Sequence, residues 1–212
     1  MPTLSDNASV PGRLCHARRA AFLVDADDYF RAVAHAVRKA RRSVLILGWD
    51  TDSRVRLDRR EDDGLTLRRL LTEAVEANPE LHVHLLTWDF AMLYSFEREP
   101  LPLFNLGWKT PARVHFHMDD QHPMGASHHQ KIVVVDDAVA FCGGLDLTKN
   151  RWDTSEHRAD QPRGTDPRGK AYGPFHDVQM AVDAEAAEVL ADIARDRWKR
   201  ATGHDIAPPP EN

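Results

Sequence analysis

The sequence is poor in cysteine, in long apolar runs and in net positive charge, and each shortage removes a class of protein. Two cysteines in 212 residues, Cys15 and Cys142, cannot build a disulfide framework. Cys142 falls in an apolar run and reads as a buried free thiol. No stretch of about 18 apolar residues exists, so no segment reads as a membrane-spanning helix. The amino terminus lacks the apolar core of a secretory signal, and the expected location is the cytoplasm, with at most peripheral membrane contact. A formal charge of −5 withholds the broad positive field that non-specific binding to nucleic acid needs, although a local basic site stays open. What is present, 42% hydrophobic and 29% charged residues, suits a soluble domain long enough to bury a core.

Residues 1–18 are polar and read as a flexible segment, 19–202 as one folded unit, and 203–212, with "APPPEN", as a tail or the start of a linker. "AAFLV" (20–24) predicts a strand. Phe30, Val33, Ala34, Val37 and Ala40 then fall at helical spacing, with Asp25 or Asp27 as a cap. "SVLILGW" (43–49) is a continuous apolar run, as in a strand buried on both faces, "LHVHLLTW" (81–88) reads as a second buried strand, and their like ends suggest neighbours. Between them a charged connection (50–63) reads as exposed, and Leu67, Leu70, Leu71, Ala74 and Val75 mark a helix. Strand, helix, strand is the unit of a parallel sheet.

Further strands are predicted at "RVHFHM" (113–118), "KIVVVD" (131–136), "AVAFCGG" (138–144) and "FHDVQMAVD" (175–183). A last helix follows from Asp183 with Ala186, Val189, Leu190, Ile193 and Trp198 on its apolar side. Prolines break the pattern over 90–112. Residues 149–174 are a polar stretch long enough to expect a functional loop. The expected fold is α/β, a mixed and largely parallel β-sheet flanked by helices.

One short stretch carries chemistry. In "SHHQKIVVVDD", His129 and Lys131 are two residues apart, so an extended chain turns both toward one face. "HQKIVVVD" fits the pattern H-x-K-x(4)-D, with His129, Lys131 and Asp136 in the three places, and "GGLDL" follows with Gly143, Gly144 and Asp146. With "RWDT", "GPFHDVQMAV" and the closing "RWKR", this context resembles the phospholipase D superfamily over roughly residues 20 to 202. It is more similar to the first catalytic half of the plant and animal enzymes than to the cardiolipin synthases.

That resemblance implies a phospholipase D-like half and a phosphoric diester hydrolase working through a phosphohistidine. A neutral imidazole suits attack on an anionic diester, which repels anionic nucleophiles. His129 is then the nucleophile, and Lys131 neutralises the non-bridging oxygens. Gly143 and Gly144 leave room for a phosphate to approach the backbone, and Asp146 belongs to the same phosphate-binding stretch. An acid at 146 repels phosphate unless it bonds a lysine or backbone. Asp177, in "HDVQMAV", matches the acid that orients the nucleophile, with a plain strand-start role as the alternative. Asp136 holds the third place of the motif, but seven residues along a strand put it out of reach of His129, so a structural role near the turn is expected. No metal or other cofactor is required.

His128 and His176 read as supporting polar residues, and Trp49, Trp88 and Trp152 as packing groups. His82, His84, His115 and His117 alternate along strands without cysteine or carboxylate partners, so they are taken as ordinary residues rather than metal ligands. The mechanism needs a second group to protonate the leaving alcohol. H-x-K occurs only at 129–131, so the chain is one half of a centre. A second copy could complete it, as in single-motif nucleases of the family; so could a separate chain or a longer enzyme. A remnant without catalysis would act at most as a binding module. The resemblance points to phosphatidyl lipids as substrates and away from nucleic acid.

Overall fold

The structure, a computed structural model, describes residues 14–60, 64–89, 110–123 and 126–210. Most of the polar amino-terminal segment, the "EDD" of the first connection, the proline-broken stretch up to residue 109 and the last two residues lie outside the described residues. The elements run β1 (Ala20–Val24), α1 (Asp25–Arg38), β2 (Ser43–Gly48), α2 (Leu67–Ala77), β3 (His82–Trp88) and β4 (Val114–Asp119). Then come β5 (Ile132–Val135), β6 (Val139–Gly143), β7 (Val178–Asp183) and α3 (Glu185–Thr202).

The strands form one seven-stranded sheet in the order β1-β7-β6-β5-β2-β3-β4. Helices on both faces are as expected, but the balance of directions is reversed. Only β2–β3 and β3–β4 are parallel, while the other four pairings are antiparallel. The strand–helix–strand unit governs the amino-terminal half. In the other half β5 and β6 meet in a tight turn at Asp136 and Asp137, whose φ values of 51° and 54° are the left-handed ones such hairpins need.

Alternate residues of the central strands feed two cores. Val44 and Ile46 of β2 pack with Val133, Val83 and Leu85 under α1 and α2. Leu45 and Leu47 pack with Val134, Leu86 and Val182 under Ala187, Ala191, Ala194 and Trp198 of α3. Both faces are thus buried, which explains why β2 and β5 read as unbroken apolar runs. Cys142 is half-buried at the second core rather than fully enclosed, and burial pushes its thiol up. Among the described residues no helix is long and apolar enough to cross a membrane.

Two local expectations are corrected. Neither Asp25 nor Asp27 caps α1: the helix has no side-chain cap, and Asp25, with φ 66°, turns its carboxylate elsewhere. The connection after β2 is not exposed, for Asp50, Thr51, Asp52, Ser53, Val55, Leu57 and Arg59 are all buried. Their polar groups find distant partners, with Thr87 Oγ1 donating to Thr51 Oγ1 at 3.0 Å and Thr148 Oγ1 to Asp50 Oδ2 at 2.7 Å.

The pairing places most of the chemistry on one rim. Val24 lies opposite Val178, Gly143 opposite Gln179, Cys142 opposite Ile132, Leu47 opposite Ile132, and Gly48 beside Thr87. The carboxyl ends of β1, β2, β3, β4 and β6 therefore gather with the amino ends of β5 and β7.

Candidate active site

His129 and Lys131 lie in the extended residues that lead into β5, at this rim. Lys131 is buried, and its Nζ stands 3.1 Å from Asp146 Oδ2 and 3.3 Å from the backbone oxygen of His129. Asp146 Oδ1 accepts the N–H groups of Trp49 at 2.8 Å and Asp50 at 3.4 Å. An acid at this place thus bonds both a lysine and backbone, which offsets its repulsion of an anion. Burial pushes the Asp146 carboxyl up, against the downward pull of Lys131 and the two backbone donors.

The His129 side chain is exposed. Its ring meets Trp49 edge-on at 6.1 Å between centroids, and Trp49 in turn stacks on Trp88 at 5.5 Å. Among the described residues no group hydrogen-bonds the His129 ring. An imidazole free at both nitrogens, two residues from a buried ammonium, is able to attack an electrophile or shuttle a proton.

Asp177 stands at the mouth of β7 on the same rim. Its Oδ1 accepts the Val178 N–H at 2.7 Å, and its own N–H donates to Asp25 Oδ1 at 3.3 Å. No hydrogen bond joins it to His129. The two glycines take a different part from that expected. A Cβ on Gly144 would overlap both carboxylate oxygens of Asp177, and one on Gly143 would meet Gln179 Oε1 and the Val178 carbonyl at 2.5 Å. The space they leave is filled by these protein groups.

Asp136 lies at the opposite rim. Its carboxylate accepts three backbone N–H groups, from Arg41 and Arg42 at 2.7 Å and from Ser43 at 2.8 Å. It clamps the approach to β2 onto the β5–β6 turn and touches none of the other motif residues. Trp152 packs in the core and donates its Nε1–H to Asp27 Oδ1 at 3.1 Å, anchoring the long loop.

Other residues at the reactive rim were not singled out by the motif. Gln179 is fully buried and accepts the Leu145 N–H at 3.1 Å, fixing the chain just before Asp146. His128 is buried, bonds Gln130 Oε1 through Nε2 at 2.9 Å and lies 3.9 Å from Asp119; burial lowers its pKa. Arg197 of α3 holds Asp119 and donates to the Gln121 carbonyl at 2.8 Å. A groove of about 340 Å³ opens beside His129, lined in part by Gln121, Ser127, Arg197 and Arg200. A polar residue inside an apolar strand, as Gln179 is, was the one local signal available for any of these.

Residues 109–207, which hold His129, Lys131, Asp146 and Asp177, match the family model described as phospholipase D. Phospholipase D zeta 1 of Arabidopsis thaliana is 31% identical over 195 residues, covering 89% of this chain and 17% of that protein. The chain belongs to the phospholipase D superfamily. Phospholipase D B of Dictyostelium discoideum is 25% identical, again over 85% of this chain and 17% of the relative. The chain therefore spans less than a fifth of the length of these phospholipases. Among solved structures, the phospholipase D family member Nuc from Salmonella typhimurium shares the fold, with a TM-score of 0.55 and 12% identity over 89% of this chain and 99% of that one.

Proposed function

We propose that this chain supplies one half of a phosphodiesterase centre that cleaves phosphatidyl lipids through a phosphohistidine at His129. The observation that carries the reading is the exposed imidazole of His129 two residues from the buried Lys131, which pairs with Asp146. In the first step a nitrogen of His129 forms a bond to phosphorus, and the bond from phosphorus to the head-group oxygen breaks. A proton from a second imidazole goes to the departing alcohol, and the same group then takes a proton from water, which displaces His129 and releases phosphatidate. Lys131 steadies the non-bridging oxygens as charge gathers on them. Asp177, at the start of β7, accepts the other N–H of His129 once the substrate is in place.

The second imidazole comes from another copy of the chain or from a separate chain, since H-x-K occurs here once. Similarity to phospholipases D over most of the chain supports the lipid over a nucleic acid, as does the charge of −5. The test is choline release from phosphatidylcholine vesicles by the purified full chain, across a range of protein concentrations, with radiolabelled lipid to trap phosphohistidine. Activity should rise more steeply than linearly with concentration if copies pair. His129→Ala should lower it on the order of 10³-fold or more without changing thermal unfolding. An active His129→Ala variant, or turnover without label on His129, overturns the proposal.

A further inference from the structure

We infer that Asp25, His157 and His176 form a binding site for a divalent transition ion of the zinc type, next to Asp177. The three come from the start of α1, the long loop and the approach to β7. One ligand atom from each lies within 4.8 Å of the others. His176 Nδ1 stands 2.8 Å from Asp25 Oδ1, and His157 Nε2 stands 3.3 Å from Asp25 Oδ2. Two ligands on one tetrahedral ion, each bonded at about 2.0–2.1 Å, are about 3.4 Å apart. Small side-chain shifts therefore admit an ion.

A second observation points to a cation. Asp25 is 0% exposed, and among the described residues its Oδ2 makes no hydrogen bond, although His157 is so close. A buried carboxylate oxygen that accepts no hydrogen bond, with only the His157 imidazole at 3.3 Å beside it, is costly, and a cation lowers that cost. The surroundings of His157 add a third. Its Nδ1 bonds Asp153 Oδ2 at 2.9 Å, and Asp153 is buried and fixed by the Thr154 N–H at 2.8 Å and the Phe175 N–H at 2.9 Å. A carboxylate on the far nitrogen is what fixes the ring of a metal-bound histidine, and here it aims Nε2 at Asp25.

Two imidazoles and one carboxylate suit zinc and its neighbours rather than calcium or magnesium, which prefer oxygen ligands. By contrast, the rings of His82, His84 and His115 stack face to face at 4.6 to 6.5 Å. Among the described residues no carboxylate joins them in a metal-binding group. An ion at Asp25 would tie the long loop and α1 to His176, and through it hold Asp177 beside Gly144. The site stands whether or not lipid is the substrate.

The test uses the full chain, freed of metal with a chelator and titrated with Zn²⁺ by calorimetry and with Co²⁺ by visible absorption. One ion per chain should bind, and Co²⁺ should show the absorption of imidazole coordination. Asp25→Asn and His176→Ala should each weaken Zn²⁺ binding on the order of 100-fold, and Asp153→Asn about 10–100-fold. His84→Ala should bind as the unaltered chain does. Because His176 is exposed, His176→Ala examines the site without disturbing the core, and unchanged unfolding in chelator will show that it is folded. Zn²⁺ should also slow proteolysis within residues 149–174, and not in His176→Ala. No uptake of Zn²⁺ by the unaltered chain, or unchanged uptake in both Asp25→Asn and His176→Ala, overturns the inference.

Discussion

The two ends of β5 each face an aspartate fixed by backbone N–H groups, and the two aspartates serve opposite purposes. Asp136 takes three N–H donors from one short stretch and, among the described residues, pairs with no cation. Asp146 takes two donors from the end of β2 and gives its other oxygen to a buried lysine. The first satisfies a turn; the second holds a buried positive charge two residues from an exposed imidazole. Backbone anchoring alone does not mark an active residue. What marks the reactive rim is charge held out of water where a stable fold gains little from it.

The largest effect should come from breaking that buried pair. Asp146→Ala leaves the Lys131 ammonium buried without its partner and should cost about 3–5 kcal/mol in urea unfolding. The double replacement Lys131→Met with Asp146→Leu should cost clearly less, because no charge is stranded. A double variant as unstable as the single would show that the pair supports the fold rather than the chemistry.

Asp136→Ala should cost less, about 1–3 kcal/mol, since it frees three backbone donors of which two are near solvent. Asp136→Asn keeps one carbonyl acceptor and tolerates the left-handed φ of 51°, so its loss should be smaller still. Per folded molecule, neither change should alter phosphodiester cleavage. A specific loss of turnover in Asp136→Asn would erase the contrast between the two rims.

The smallest effect is one of pH, away from both aspartates. Burial lowers His84 from its ordinary 6.5 to about 4, with His115 and His82 adding to the shift. Between those values the unfolded chain binds a proton that the folded chain refuses, so stability is full above pH 6.5 and falls as pH drops toward about 4. His115 and His128 are lowered by burial too and act in the same direction. His84→Phe, which keeps the ring against Trp198, should therefore flatten part of this acid slope in thermal unfolding, and an unchanged slope would remove His84 from the account.

The strands were legible where burial is uniform: β2 and β5 are unbroken apolar runs because helices cover both faces. Their directions were not, since a βαβ unit at one end says nothing about the hairpin at Asp136 and Asp137. The segment after β2 looked exposed because its charges are visible in the sequence, whereas its partners Thr87, Leu147 and Thr148 are far along the chain. Asp25 reads as a helix cap for the same reason, its histidines being more than a hundred residues away. His129 and Lys131 were legible because a two-residue spacing is a local property of extended chain.

The sequence alone determined the strands, the single H-x-K and with it the family, because periodicity and motif spacing are set by covalent neighbours. The tertiary structure decided which acid meets which base. Asp146 reaches Lys131, Asp177 fills the space over Gly144, and Asp25 faces two histidines only after the sheet sets their strands side by side. Such meetings depend on register and direction, which no local stretch encodes, and on burial strong enough to hold charges together out of water.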